Sequence, residues 1–229
     1  MKRGQSIFTQ AVHAGERAAP PNFTPVSTPI HFSVGYVYED MRDLDAIFGG
    51  ERAGYVYPRY GSPTVHAWEA AIATLERAGD AVAFASGMGA VHAALLGGGA
   101  RAGTAVVAAA DVYGATYALL ERTMAELGVR TRFVDIADLE QVAAAVDQER
   151  PAVLLCEIIS NPLMKVADVP TLAGIAHQAG ATLIVDNTFA TPYLFRPLEH
   201  GADYVVHSAT KYLAGHGDVM AGVVACSGE

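Results

Sequence analysis

From Asp80 onward the chain alternates between short apolar runs and amphipathic stretches. Runs of strand length occur at Ala81–Ala85, Thr104–Ala109, Val129–Val134, Ala152–Ile158, Ala181–Val185, Tyr204–Val206 and Gly222–Ala225. Between them the spacing of apolar positions predicts helices over Ala90–Leu96, Tyr113–Leu127, Asp138–Glu149 and Val169–Gln178. Asp138 suits an N-cap, and Gly128 and Gly180 suit the position just past a helix end. Strands apolar on both faces and alternating with helices imply an α/β domain whose mostly parallel sheet is covered on both sides. The stretch from Asp186 to Asp203 breaks the rhythm, with Pro192 and Pro197 inside it.

Residues 1–60 carry a different pattern. Ala19-Pro20-Pro21-Asn22 and Thr24-Pro25-Val26-Ser27-Thr28-Pro29 interrupt helix and central strand alike, so this part reads as an extended arm. A short helix is expected at Met41–Phe48 and a longer one over Thr64–Arg77, opened by Ser62-Pro63. The domain proper is then 61–229.

Composition narrows the partners. In 229 residues, hydrophobic side chains make up 52% and charged ones 17%, enough for one well-cored domain. A net charge of −9 argues against nucleic acid or an anionic membrane as main partner. Cys156 and Cys226 both fall in apolar runs, as reduced thiols do. Lys2-Arg3 leads into no apolar signal region, and the expected location is cytoplasmic.

The polar residues collect at the ends of the apolar runs. Tyr204-Val205-Val206 stops at His207-Ser208-Ala209-Thr210-Lys211, which delivers two hydroxyls and a lysine to a strand's C-terminal edge. A lysine desolvated there can act as an amine nucleophile. Ser86-Gly87-Met88-Gly89 follows the first strand and opens a helix, where backbone N–H groups can cradle an anion. That anion could be a dinucleotide pyrophosphate, with Gly87 and Gly89 as G-x-G and Asp111 on a ribose, or a single phosphate; a plain tight turn has equal claim. Asp186 ends another strand, either as an Asx turn or as a carboxylate facing a cation such as a pyridinium nitrogen. Tyr113 is either packing or a ring that stacks on a flat cofactor. Glu157 and Asn161 end a fourth strand, and Arg59, between Tyr57 and Tyr60, suits a phosphate or a surface ion pair. The eight histidines show no metal spacing, no G-x-S-x-G elbow occurs, and His207 and His216 read as structural.

Taken together, Tyr57–Thr64 (YPRYGSPT), Ser86–Gly89 (SGMG), Asp111–Thr116 (DVYGAT), Asp186–Tyr193 (DNTFATPY) and His207–Gly222 resemble the Cys/Met-metabolism family of pyridoxal-phosphate enzymes. This is the transsulfuration group: cystathionine γ-synthase, cystathionine γ-lyase, methionine γ-lyase and O-acetylhomoserine sulfhydrylase. The motifs run in family order across nearly the whole chain. The resemblance implies the large domain of the aspartate-aminotransferase-like fold, type I, with a seven-stranded sheet. It implies Lys211 as the internal-aldimine lysine and proton carrier, Asp186 on the pyridinium nitrogen, and Tyr113 stacked on the ring as an acid/base group. The phosphate would be held around Ser86, by Gly87, Met88, Ser208 and Thr210, with Tyr57 and Arg59 reaching in from a second subunit; Asn161 would lie near the phenolic oxygen. The expected cofactor is pyridoxal 5'-phosphate and the substrate a small amino acid. The expected assembly is a homotetramer of active dimers, with the arm as a clasp.

Departures from the family pattern qualify this. Glu157-Ile158-Ile159-Ser160-Asn161-Pro162 replaces E-T-P-x-N-P, Ser62 stands where Asn is usual, and Ala115 occupies a position that is cysteine in typical methionine γ-lyases. Family members continue past the position of Glu229 into a C-terminal small domain that supplies an arginine for the substrate carboxylate. The resemblance therefore leaves three functions in view: elimination at the γ carbon of cystathionine- or homoserine-type amino acids, γ-replacement, and a cofactor-binding module without turnover. A nicotinamide-binding domain would leave Lys211 and Asp186 without a purpose.

Overall fold

The computed structural model describes residues 25–227. The proline-rich stretch at 19–22 and the last two residues lie outside that range. Seven strands form one sheet: β1 Asp80–Phe84, β2 Ala105–Ala109, β3 Arg130–Val134, β4 Val153–Glu157, β5 Thr182–Asp186, β6 Tyr204–His207 and β7 Gly222–Cys226. Their spatial order is β1-β7-β6-β5-β4-β2-β3. The five strands from β6 to β3 pair in parallel, while β7 runs antiparallel to both β6 and β1. All seven expected runs become strands, shifted by a residue or two.

Helices cover both faces because each central strand is apolar on both. Val107, Leu154, Leu183 and Val205 pack on one side against α5 (Leu139–Glu149) and α6 (Val169–Gln178). Their neighbours Val106, Leu155, Ile184 and Val206 pack on the other side against α3 (Gly87–Gly97). β2 and β4 are buried along their whole length, and burying a Val or Leu side chain stabilises by roughly 1.5–3 kcal/mol. The caps form as expected: Asp138 accepts from the Gln141 N–H at 3.0 Å, and Gly128 and Gly180 take positive φ.

Earlier in the chain, α1 (Met41–Phe48) and α2 (Pro63–Glu76) lie at the expected places, and 25–40 contains neither helix nor strand. One expected element differs. The helix predicted over Tyr113–Leu127 is α4 (Gly114–Ala118) followed by a π-helical segment, Leu119–Met124. Its wider turn puts Leu120 and Met124 into the core at 0% exposure; apolar spacing alone does not distinguish i+5 from i+4 bonding. Between β5 and β6 the irregular stretch holds only α7 (Thr191–Leu194) and a 3₁₀ turn, Pro197–His200.

Strand order decides where a ligand can sit. From β2 the chain moves outward to β3 and then returns to the other side of β2 as β4. The carboxyl ends of β2 and β4 therefore flank a topological switch point, the place where open α/β sheets form a crevice.

Candidate active site

A cavity of about 420 Å³ occupies that crevice. Nine of the sequence-expected residues line it: Ser86, Gly87, Met88, Tyr113, Asn161, Asp186, Ser208, Thr210 and Lys211. Tyr57 and Arg59 do not. The Arg59 guanidinium lies 5.1 Å from the Tyr57 ring centre and 5.7 Å from that of Tyr60, away from the cavity.

The floor is built by the ends of β4, β5 and β6. Glu157 and Asp186 are register partners at the last positions of β4 and β5. Asp186 Oδ1 accepts from the Thr188 N–H at 2.9 Å and the Thr188 hydroxyl at 2.5 Å. Asp186 Oδ2 has no hydrogen-bond partner among the described residues. Burial pushes the Asp186 carboxyl above its ordinary range, partly offset by the two Thr188 bonds. Thr188 Oγ1 in turn accepts from the Ser208 N–H at 2.8 Å, so one threonine ties the acid to the next strand's loop. Sequence reading passed over Thr188; the signal was its place two residues after Asp186, where a hydroxyl can fold back on a carboxylate.

Glu157 clamps the opposite wall. Its Oε1 accepts from the Tyr113 N–H at 2.5 Å and its Oε2 from the Asn161 N–H at 3.1 Å, fixing both segments. Burial first, then the charge of Asp186, pushes Glu157 up to about 7 despite those two bonds.

The anion end lies where α3 starts. Ser86 Oγ caps the helix by accepting from the Gly89 N–H at 3.1 Å, and the Gly87 and Met88 N–H groups have no partner among the described residues. Two glycines permit this packing. A Cβ on Gly87 would lie 2.7 Å from Ser208 Cβ, and one on Gly222 would lie 2.1 Å from the Ser86 carbonyl oxygen. Thr210 differs from expectation: its hydroxyl donates to the Ala221 carbonyl at 3.2 Å and accepts from the Ala221 N–H at 3.1 Å. That hydrogen is thus committed to closing the loop, and Ser208 Oγ is left as the hydroxyl free to meet an anion.

Lys211 borders the cavity on an exposed turn, with no hydrogen bond or ion pair from its Nζ among the described residues. The enclosure expected around it is not supplied by those residues. Tyr113 is 51% exposed and its ring stands on the rim. Thr116, Phe189 and Met220 complete the wall, with the Thr116 hydroxyl 3.7 Å from Met88 Sδ. No arginine lines the cavity among the described residues. Asp111, the acid a dinucleotide would require, is absent from the lining; neither carboxylate oxygen has a hydrogen-bond partner among the described residues, and Lys165 Nζ lies 3.9 Å from its Oδ2.

A family model described as Cys/Met metabolism PLP-dependent enzyme matches residues 8–229. The chain belongs to that family. It is 43% identical to the L-methionine gamma-lyase of Pseudomonas putida over 218 residues, covering 94% of this chain and 54% of that protein. It is 40% identical to the homocysteine synthase of Schizosaccharomyces pombe over 222 residues, covering 96% and 51%. Among solved structures it matches an enzyme described as an O-acetylhomoserine (thiol)-lyase from Campylobacter jejuni with a TM-score of 0.83. That match is at 32% identity over 90% of this chain and 50% of the other, which carries a pyridoxyl-lysine phosphate. The chain therefore spans about half the length of the curated relatives it matches.

The cavity fits the family's cofactor on its own evidence. A pyridoxal phosphate has an anionic end, a flat ring and a ring nitrogen that becomes cationic. Facing these are N–H groups at a helix N-terminus and one oxygen of the half-buried Asp186 carboxylate, all without partners among the described residues, and the Tyr113 ring at the rim. No helix among the described residues is long and apolar enough to cross a membrane.

Proposed function

We propose that this chain is the cofactor-binding part of a pyridoxal-phosphate enzyme that eliminates the γ substituent of a sulfur-containing or O-acylated homoserine-type amino acid. The observation that carries it is the placing of Lys211, with no partner for its amine among the described residues, in one cavity with Asp186 and the Ser86–Met88 cradle. When bound, the cofactor acts as an electron sink that stabilises negative charge at the substrate carbons. This chain's residues do the rest. Gly87, Met88 and Ser208 hold the phosphate; Asp186, fixed by Thr188, keeps a proton on the ring nitrogen by charge; Tyr113 covers the ring. Lys211 moves protons between neighbouring substrate carbons, and the Glu157 clamp holds Tyr113 and Asn161 in register across the cavity.

Two further readings have specific support. The match to a homocysteine synthase favours γ-replacement as the alternative reaction on the same site. The lack of an arginine along the cavity among the described residues favours a 229-residue polypeptide that binds cofactor but grips a substrate carboxylate poorly, a contact worth about 1.5–3 kcal/mol. Arg196 does not fill that role where it stands: it is outside the cavity lining, with its Nε donating to the Leu75 carbonyl at 2.7 Å and its Nη1 3.6 Å from Glu199. Tyr57 and Arg59 act in this reading on the phosphate of a neighbouring copy, in an assembly of active dimers.

The test is covalent capture. Borohydride reduction after loading with pyridoxal phosphate, followed by peptide mapping, is expected to place the pyridoxyl mass on Lys211. Lys211→Ala is expected to abolish it. A label elsewhere, or an absorbance spectrum unchanged by the cofactor, would reject the reading. Ketoacid release against thioether formation then separates elimination from replacement.

A further inference from the structure

Beneath the cavity floor lies a polar cluster that the chemistry above does not use. Glu76, the last residue of α2, His207 and Asn187 are each 0% exposed. Glu76 Oε1 lies 2.5 Å from His207 Nε2 and accepts from Asn187 Nδ2 at 3.0 Å. An oxygen already accepting an amide hydrogen leaves His207 Nε2 as the other donor. Asn187 spends its second amide hydrogen on the Phe195 carbonyl at 2.9 Å. Glu76 Oε2, Asn187 Oδ1 and His207 Nδ1 have no partner among the described residues.

Stability alone gives no reason for this cluster. Three polar side chains fully out of water, with three unpaired polar atoms among the described residues, are expensive, and an apolar trio of the same volume would pack there at lower cost. Its position supplies the reason. Asn187 stands between Asp186 and Thr188, and His207 immediately precedes Ser208 and the turn carrying Lys211. A single buried oxygen thus joins the acid segment to the anion-and-lysine segment from behind. The Thr188–Ser208 bond joins the same two segments from the cavity side. Loops pinned at two levels cannot slide past one another, and a cofactor held at both ends needs a fixed span between them.

We propose that Glu76 is a positioning residue for the site, fixing the spacing of the Asp186–Thr188 and Ser208–Lys211 segments through His207 and Asn187. The proposal rests on the cofactor reading for its effect on binding, but the tie between the segments can be read without cofactor. The full 229-residue chain is compared with Glu76→Leu, which keeps bulk and removes the acceptor, Glu76→Gln, which keeps an acceptor oxygen, and Asn187→Ala, which cuts one arm. Three readouts apply: the pyridoxal-phosphate dissociation constant, the visible circular dichroism of the bound ring, and backbone hydrogen exchange at 186–189 and 208–211 in cofactor-free protein.

Glu76→Leu is expected to raise the dissociation constant about tenfold, the scale of a lost hydrogen bond to a charged group. It should also diminish the visible dichroism and speed exchange in both segments. Glu76→Gln should recover most of each change. Should Glu76→Leu not fold, Asn187→Ala carries the test, with faster exchange confined to 186–189. Parental affinity and dichroism in these variants, whatever their melting temperatures, would reduce Glu76 to a packing residue and overturn the proposal. Faster exchange in variants of a parent that binds no pyridoxal phosphate would uphold the tie and remove the cofactor reading instead.

Discussion

The floor of the cavity and its rim are built on opposite terms. On the floor, Asp186, Thr188 and Ser208 hold one another through three hydrogen bonds of 2.5–2.9 Å, and Glu157, beside Asp186 in the sheet, accepts from the Tyr113 and Asn161 N–H groups at 2.5 and 3.1 Å. At the rim, Tyr113, Lys211 and Met220 stand largely in solvent, and the segment before α2 exposes apolar side chains, Phe32 at 87% and Ile30 at 69%. The floor is complete within one chain. Rim and arm carry the composition of surfaces that become buried on assembly, which agrees with the proposed dimer. Geometry that the floor fixes should survive in the isolated chain, whereas affinity and enclosure that depend on the rim should not.

The most severe way to break the cavity's fixed part is Gly222→Ala, at the anion end beside the floor. Its Cβ would overlap the Ser86 carbonyl, a backbone atom that cannot move without carrying the α3 N-terminus with it. A loss of about 3 kcal/mol or more in chemical denaturation is expected, together with loss of cofactor absorbance. Parental stability would show that β7 and α3 approach less closely.

Asp186→Asn should act on binding and chemistry while sparing the fold. In the proposed reading Asp186 faces the ring nitrogen, and removing its charge is expected to weaken pyridoxal-phosphate binding by about ten- to a hundredfold, measured by absorbance titration. An unchanged constant would place the ring nitrogen elsewhere.

A pH series sharpens the comparison. Folded Glu157 keeps its proton up to about 7, whereas an ordinary glutamate releases it near 4.5. Between those values the folded chain binds more protons than the unfolded one, so stability falls as pH rises through that window. The loss from this group is about 3 kcal/mol. Asp186 is displaced in the same direction. Subtracting the denaturation profile of Glu157→Gln from that of the parent is therefore expected to isolate a component ending near pH 7. Parallel profiles would count against the buried clamp.

The smallest effect belongs to the arm. Phe32→Ser is expected to change the stability of the isolated chain by less than about 0.5 kcal/mol, while lowering the sedimentation coefficient of any assembly the parent forms. A large stability loss in the monomer would mean that the arm packs on its own domain.

Much of this was legible in the chain. All seven strands announced themselves as short runs bounded by turn residues, the central ones apolar on both faces, and Lys211, Asp186 and the Ser86–Met88 turn stood out at strand ends. The Thr188 bridge was only faintly visible, since a threonine after an acidic residue usually closes a local turn. Glu76 was invisible: a glutamate at the end of a helix normally faces water, and only its contact with His207, 131 positions later, reveals it as buried. The π-helical turn and the committed hydroxyl of Thr210 were hidden for the same reason, because each depends on partners that no local pattern names.

The sequence by itself determined the alternation of elements, the family, and the residues available to hold a phosphate and a ring, because periodicity and short motifs are properties of neighbours in the chain. Tertiary structure alone decided which of those residues meet. It placed the crevice where strand order reverses, turned the Thr210 hydroxyl inward, left Tyr57 and Arg59 away from the cavity, and set a carboxylate beneath two loops. Those outcomes follow from strand order and from the matching of buried polar atoms across long separations, and neither is encoded in the spacing of residues along the chain.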